Sequence, residues 1–152
     1  MSAPQGLSAI KKAKHVFVIG NGGSYANSFH LVNDLVSVGV RAFVCDPATL
    51  TAFSNDYGYD KAFGKWLGTV SEHGDVLIAL SGSGNSKNIT YACRIAKVHY
   101  MTVIGITGAY EPHPKLAHQA HIVIRRGKDM QAAEEYQLVW GHRIMKALRA
   151  RR

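Results

Sequence analysis

Acidic residues are scarce in this chain: ten against eighteen lysines and arginines in 152 residues, a formal net charge of +8. Cysteine is scarcer still, and the spacing of Cys45 and Cys93 makes neither a disulfide framework nor a zinc motif. No apolar run approaches the roughly 18 residues of a bilayer span, although 47% of the chain is hydrophobic. The opening "MSAPQGLSAIKKAKH" lacks the apolar stretch of a secretory signal, so a cytoplasmic protein without membrane contact is expected. With four prolines, no repeat and no low-complexity linker, the length fits one domain with a core of its own. The excess positive charge gathers near the ends, at Lys11, Lys12 and Lys14 and at Arg143, Lys146, Arg149, Arg151 and Arg152. Such basic ends are commonly solvated, and nucleic acid is not the expected partner.

What is present is alternation. "HVFVIG" (15–20) is short, apolar and rich in β-branched residues, like a strand buried on both faces. "SYANSFHLVNDLVSVG" then reads as a helix with Phe29, Val32 and Leu35 inward, closed by Gly39. "RAFVCD" is a second strand, followed by "PATLTAFSND" and "DKAFGKWLGTVS" as helices. "DVLIAL" (75–80), "MTVIGIT" and "HIVIRR" read as further strands; "SKNITYACRIAKVH" and "DMQAAEEYQLVWGHRIMKALRARR" read as helices. Leu138, Ile144 and Leu148 recur on one face of the last helix, a face suited to a partner's surface. Strands separated by helices imply right-handed crossovers and a doubly wound, five-stranded parallel sheet with helices on both faces, of the flavodoxin-like α/β class. Ligands of such sheets bind beyond the carboxyl ends of the strands, where the strand order reverses. Residues 1–14 read as an N-terminal extension and 15–152 as the domain.

Two glycine loops follow strands. The first, "GNGGSYANSFH", fails as a dinucleotide fingerprint because Tyr25 stands where the third small residue belongs, although Asp46 imitates a ribose-binding acid. A P-loop is excluded, since no G-K-[ST] occurs. The second, "LSGSGNSKN" (80–88), offers Ser81, Ser83 and Ser86 as hydroxyl donors where a helix opens. Backbone N–H groups and the helix dipole suit a phosphate there; Ser86 as a plain helix cap is the alternative. His30 and Asp34, four apart, share one helix face, and Glu134 and His142, eight apart, lie on roughly one face of another. Spacing alone leaves chance pairing and a metal or proton site both open.

The stretches "GNGGSYANSFHLVNDL", "SGSGNSKN" and "NDYGY" together resemble the sugar isomerase (SIS) domain family, and within it the phosphoheptose isomerases. The resemblance implies Asn21, Gly22 and Ser24 on the sugar-binding turn and Ser81, Ser83, Asn85 and Ser86 in the phosphate cradle, with Gly82 replacing a family Thr. It implies Asp56 beside the sugar hydroxyls; an ordinary turn residue is the other reading of that position. The family carries His-x-x-x-Glu on its first helix and Gln-x₇-His on its last. His30 and His142 match, whereas Asp34 stands for Glu and Glu134 for Gln. By resemblance His30, Asp34, Glu134 and His142 would hold zinc, one divalent ion per site, Asp34 and His142 would be the acid/base pair, and Glu134 would also face the substrate. Asp34 is one methylene short, a retreat of about 1 Å for a carboxylate that moves protons. The implied activity is an isomerase interconverting sedoheptulose 7-phosphate and D-glycero-D-manno-heptose 7-phosphate by enediol proton transfer. A non-catalytic sugar-phosphate-binding SIS protein of the replication-initiator adaptor type, or an isomerase of another phosphosugar, are the alternatives. Family members begin with a long helix used in a tetrameric bundle, whereas fourteen residues precede His15 here, so a homo-oligomer, tetramer or dimer, is the expected assembly.

Overall fold

The computed structural model describes residues 2–150; Arg151 and Arg152 of the basic C-terminus lie outside the described residues. Five strands, β1 (Val16–Ile19), β2 (Ala42–Val44), β3 (Val76–Leu80), β4 (Thr102–Thr107) and β5 (Ile122–Arg125), form one sheet in the order β2-β1-β3-β4-β5. All neighbouring pairs are parallel. This is the flavodoxin-like order, and the order reverses between β1 and β3. Register pairs Ile19 with Ala79, so the loops that leave β1 and β3 emerge side by side.

The period of two along each strand divides the core between two faces. Val16, Val18, Ile78, Leu80, Ile104 and Ile106 face α1 (Leu7–Lys12), α2 (Gly23–Ser37) and α7 (Met130–Arg149), meeting Leu31, Leu35, Trp140 and Ile144. Phe17, Ile19, Leu77, Ala79 and Val103 face the other way, towards Phe63 and Leu67 of α4 (Tyr59–Val70), Ile89 and Ala92 of α5 (Lys87–Val98), and Leu116 of α6 (Lys115–Gln119). Both cysteines are buried thiols, pushed up to about 12 by desolvation.

Two sequence expectations change. The inner face of α2 is Ser24, Ser28, Leu31 and Leu35; Phe29 is 40% exposed and rests edge-on against Tyr25. Two buried serines displaced the apparent stripe, because their hydroxyls find partners inside. Ile144, expected to face a partner, lies in the protein's own core, with Leu148 packed against it. The segment before residue 15 contributes α1, whose Leu7 and Ile10 enter the core, while Trp140 Nε1 donates to the Gln5 carbonyl at 3.0 Å. Both α1 and α6 are too short to carry a readable period, and tertiary packing makes them.

Candidate functional site

At the switch point lies a cavity of about 260 Å³ lined by Asn21, Gly22, Gly23, Ser24, Leu80, Ser81, Gly82, Ser83, Ser86, Met130 and Glu134. No lysine or arginine lines it, so an anion held there depends on neutral donors. The serine loop supplies them. Ser81 Oγ accepts from Gly84 N at 3.0 Å and Ser83 Oγ accepts from Asn85 N at 3.2 Å. A hydroxyl whose oxygen already accepts inside the loop keeps its proton for a ligand. Ser86 occupies the N-cap position of α5 but makes no side-chain cap bond, so the plain-cap alternative does not describe it. Gly84 (φ +67) brings the turn close to Pro114 and Thr107. At Gly82 an added side chain would meet the Met130 thioether, the flexible end of a side chain from α7.

The first loop is tied to the second by paired amides. Asn21 Nδ2 donates to Asn88 Oδ1 at 2.9 Å, and Asn88 Nδ2 donates back to Asn21 Oδ1 at 2.8 Å. Tyr59 adds its hydroxyl to the same Asn21 oxygen at 2.5 Å. Both acceptor positions of Asn21 are then filled, and among the described residues one N–H of this cavity-lining amide has no partner. Ser24, buried, accepts from Gln137 Nε2 at 2.9 Å, and Asn27 Nδ2 donates to Gln137 Oε1 and to the Glu134 carbonyl, both at 2.9 Å. This buried polar seam runs between α2 and α7. At its upper end the Glu134 carboxylate lies directly against Gly23, where a side chain at that position would collide with it.

Further down the seam three groups converge. His30 Nε2 is 3.0 Å from His142 Nε2, and Asp34 Oδ2 lies 3.4 Å from the first and 3.5 Å from the second. Asp34 Oδ2 is buried with no hydrogen-bond partner, while both imidazoles are about half exposed. Ligands about 2.0–2.2 Å from a tetrahedral zinc stand roughly 3.3–3.5 Å apart, so two imidazoles, one orphaned carboxylate oxygen and this spacing fit such an ion. Glu134, counted with them by resemblance, does not join this cluster. Eight residues of α-helix separate it from His142 by about 12 Å along the axis, and its side chain turns to the first turn of α2 instead.

Asp56 and Asn85 stand apart from both groups. Asp56 is an exposed residue of α3 (Pro47–Tyr57), not of a loop, and its carboxylate accepts from Asn55. Asn85 lies beside the cradle with Oδ1 accepting from Lys115 N at 3.0 Å. Asp46, the imitation ribose acid, caps α3 by accepting from Thr49 N, and the Thr49 bonds hold its carboxyl below the usual range. Sequence reasoning missed Asn88, Tyr59, Gln137 and Met130. Asn88 and Gln137 had a legible signal: each is a polar residue at a core-facing helical position, and a buried amide needs partners.

The fold and the paired glycine loops are those of one domain class: the chain belongs to the SIS domain family, whose family model matches residues 5–108. Within that family it is similar to the phosphoheptose isomerase of Burkholderia pseudomallei (strain K96243), with 39% identity over 110 residues, 67% of this chain and 56% of that relative. The chain therefore spans about half the length of the curated relatives it matches. Among solved structures it is similar to phosphoheptose isomerase GmhA from Neisseria gonorrhoeae, with TM-score 0.86, 27% identity, and coverage of 95% of this chain and 80% of that one. A phosphoheptose isomerase from Francisella tularensis also superposes with TM-score 0.86 at 26% identity, covering 96% of this chain and 83% of that chain.

Proposed function

We propose that this chain is a phosphosugar isomerase, interconverting sedoheptulose 7-phosphate and D-glycero-D-manno-heptose 7-phosphate through an enediol. One observation carries the reading: a cavity lined by the serine cradle opens at one end of the seam between α2 and α7, and a His₂/Asp cluster lies further along that seam. The kinship with phosphoheptose isomerases supports the choice of substrate.

Ser81, Ser83 and Ser86 bind the phosphate, aided by the opening turn of α5. Asn21, held by Asn88 and Tyr59, offers its free N–H to a sugar oxygen that becomes negative as the enediolate forms. His30, Asp34 and His142 would hold zinc, which would supply Lewis-acid polarisation of a sugar carbonyl. Asp34, resembling one partner of an acid/base pair, has its buried oxygen aimed at two imidazoles and is given the ligand role. His142, by resemblance the other partner of that acid/base pair, likewise has its Nε2 turned to the cluster and is given the ligand role. In this reading the enzyme works in the cytoplasm as a homo-oligomer. The test is to incubate zinc-loaded protein with sedoheptulose 7-phosphate and follow the sugar by NMR; the aldose should appear, and no conversion at any enzyme concentration sinks the proposal.

The non-catalytic alternative keeps one observation in its favour, since none of His30, Asp34 and His142 lines the cavity. It forecasts sugar-phosphate binding without any proton exchange at C1 or C2.

A further inference from the structure

The proposed reaction needs a base that reaches a carbon beside the carbonyl. The cavity lining offers one ionisable side chain, Glu134; the rest are serines, glycines, Asn21, Leu80 and Met130. Its carboxylate rests against Gly23 of the sugar-binding turn. Among the described residues only the backbone carbonyl of Glu134 is engaged, by Asn27, and the carboxylate itself is free to take a ligand's proton. Asp34 differs on each point: it lies outside the lining, and its buried oxygen faces His30 and His142.

We infer that Glu134 is the base that carries the carbon-bound proton. The inference rests on the isomerase reading and gives this chain a chemistry that glutamine, the residue expected at 134 by resemblance, lacks. The Glu134 carboxylate takes a proton from C1 of the ketose. The C1–H electron pair becomes the C1–C2 double bond, and the carbonyl pair moves onto O2. O2 gains a proton as O1 loses one, and protonated Glu134 returns its proton to C2 while the C1–O1 carbonyl forms. Nothing is oxidised or consumed. A cavity whose neutral hydroxyls hold the phosphate leaves the one carboxylate available for this transfer.

The experiment compares wild type, Glu134→Gln and Glu134→Asp with sedoheptulose 7-phosphate in heavy water, reading deuterium entry at C1 by NMR, affinity by calorimetry and zinc by elemental analysis. Glu134→Gln is nearly isosteric and should keep fold, zinc and affinity while losing exchange by about 10²–10⁴-fold. Glu134→Asp keeps a carboxylate and should retain part of the exchange. Exchange in Glu134→Gln at or above the wild-type rate overturns the inference and returns the base to Asp34, since that variant restores the residue seen in the resembled family. Zinc lost together with exchange overturns it also, making Glu134 a ligand. No exchange in wild type overturns the isomerase reading itself, a failure seen in the parent protein and not in the variant alone.

Discussion

At the scale of single residues, the cradle depends on where each hydroxyl proton can go. Ser83 receives a loop N–H and Ser86 makes no cap bond, so both can donate outward to a dianion. Ser83→Ala and Ser86→Ala should each weaken sugar-phosphate binding by about 1.5–3 kcal/mol, the worth of a hydrogen bond to a charged group, with little change in melting temperature. Calorimetry showing wild-type affinity in both variants would reduce the loop to a turn. These serines were legible in the sequence because three of them crowd one glycine loop. Asn88 and Gln137 were legible only as polar residues at core-facing positions, and the pairing was not, since their partners Asn21 and Ser24 are 67 and 113 residues away along the chain. No local pattern announces such a pair.

At the scale of elements, the turn between β3 and α5 sets the cradle's shape through Gly84. Its φ of +67 is a left-handed conformation, and a Cβ there would stand 2.5 Å from Pro114 Cβ and 2.7 Å from Thr107 Oγ1. Gly84→Ala should therefore cost about 1–3 kcal/mol through strain and crowding together. At about 2–4 °C per kcal/mol for a chain of this size, the loss is readable by calorimetry or circular dichroism. An unchanged melting temperature would mean that the turn relaxes freely. The helices teach a related lesson. α2 and α7 were found from their periods, but the face α2 buries was misjudged at Phe29, because Ser24 and Ser28 are buried through hydrogen bonds to Gln137 and the Tyr25 carbonyl. Hydrophobic periodicity does not register a serine whose polarity is satisfied within the fold.

At the scale of the whole molecule, the open side of the seam bears on assembly. His30 and His142 are about half exposed, and Val36 on α2 and Val139 on α7 are 54% and 49% exposed on the outer surfaces of the same two helices. In the proposed homo-oligomer a partner covers this side and limits water at the histidine cluster. Val36→Glu and Val139→Glu together should shift the protein towards monomer in sedimentation velocity, with the fold intact by circular dichroism. A wild-type protein that sediments as a monomer at all concentrations would remove the oligomer from the proposal. Among the described residues no helix is long and apolar enough to cross a membrane, in keeping with the composition.

The sequence by itself determined the α/β alternation, the parallel sheet, the two glycine loops and the paired spacings of His30 with Asp34 and Glu134 with His142. Each is a local property: strand and helix periods, glycine where the backbone must turn, and residues four or eight apart on one helical face. The tertiary structure alone decided how those pieces combine. It set β1 beside β3 so that the loops meet, brought His142 to His30 and Asp34, and turned Glu134 away from them into the cavity at Gly23. The physical reason is that distance along a helix and direction across a seam are fixed by packing. Two residues on one helical face can lie about 12 Å apart and serve different ends of the same site.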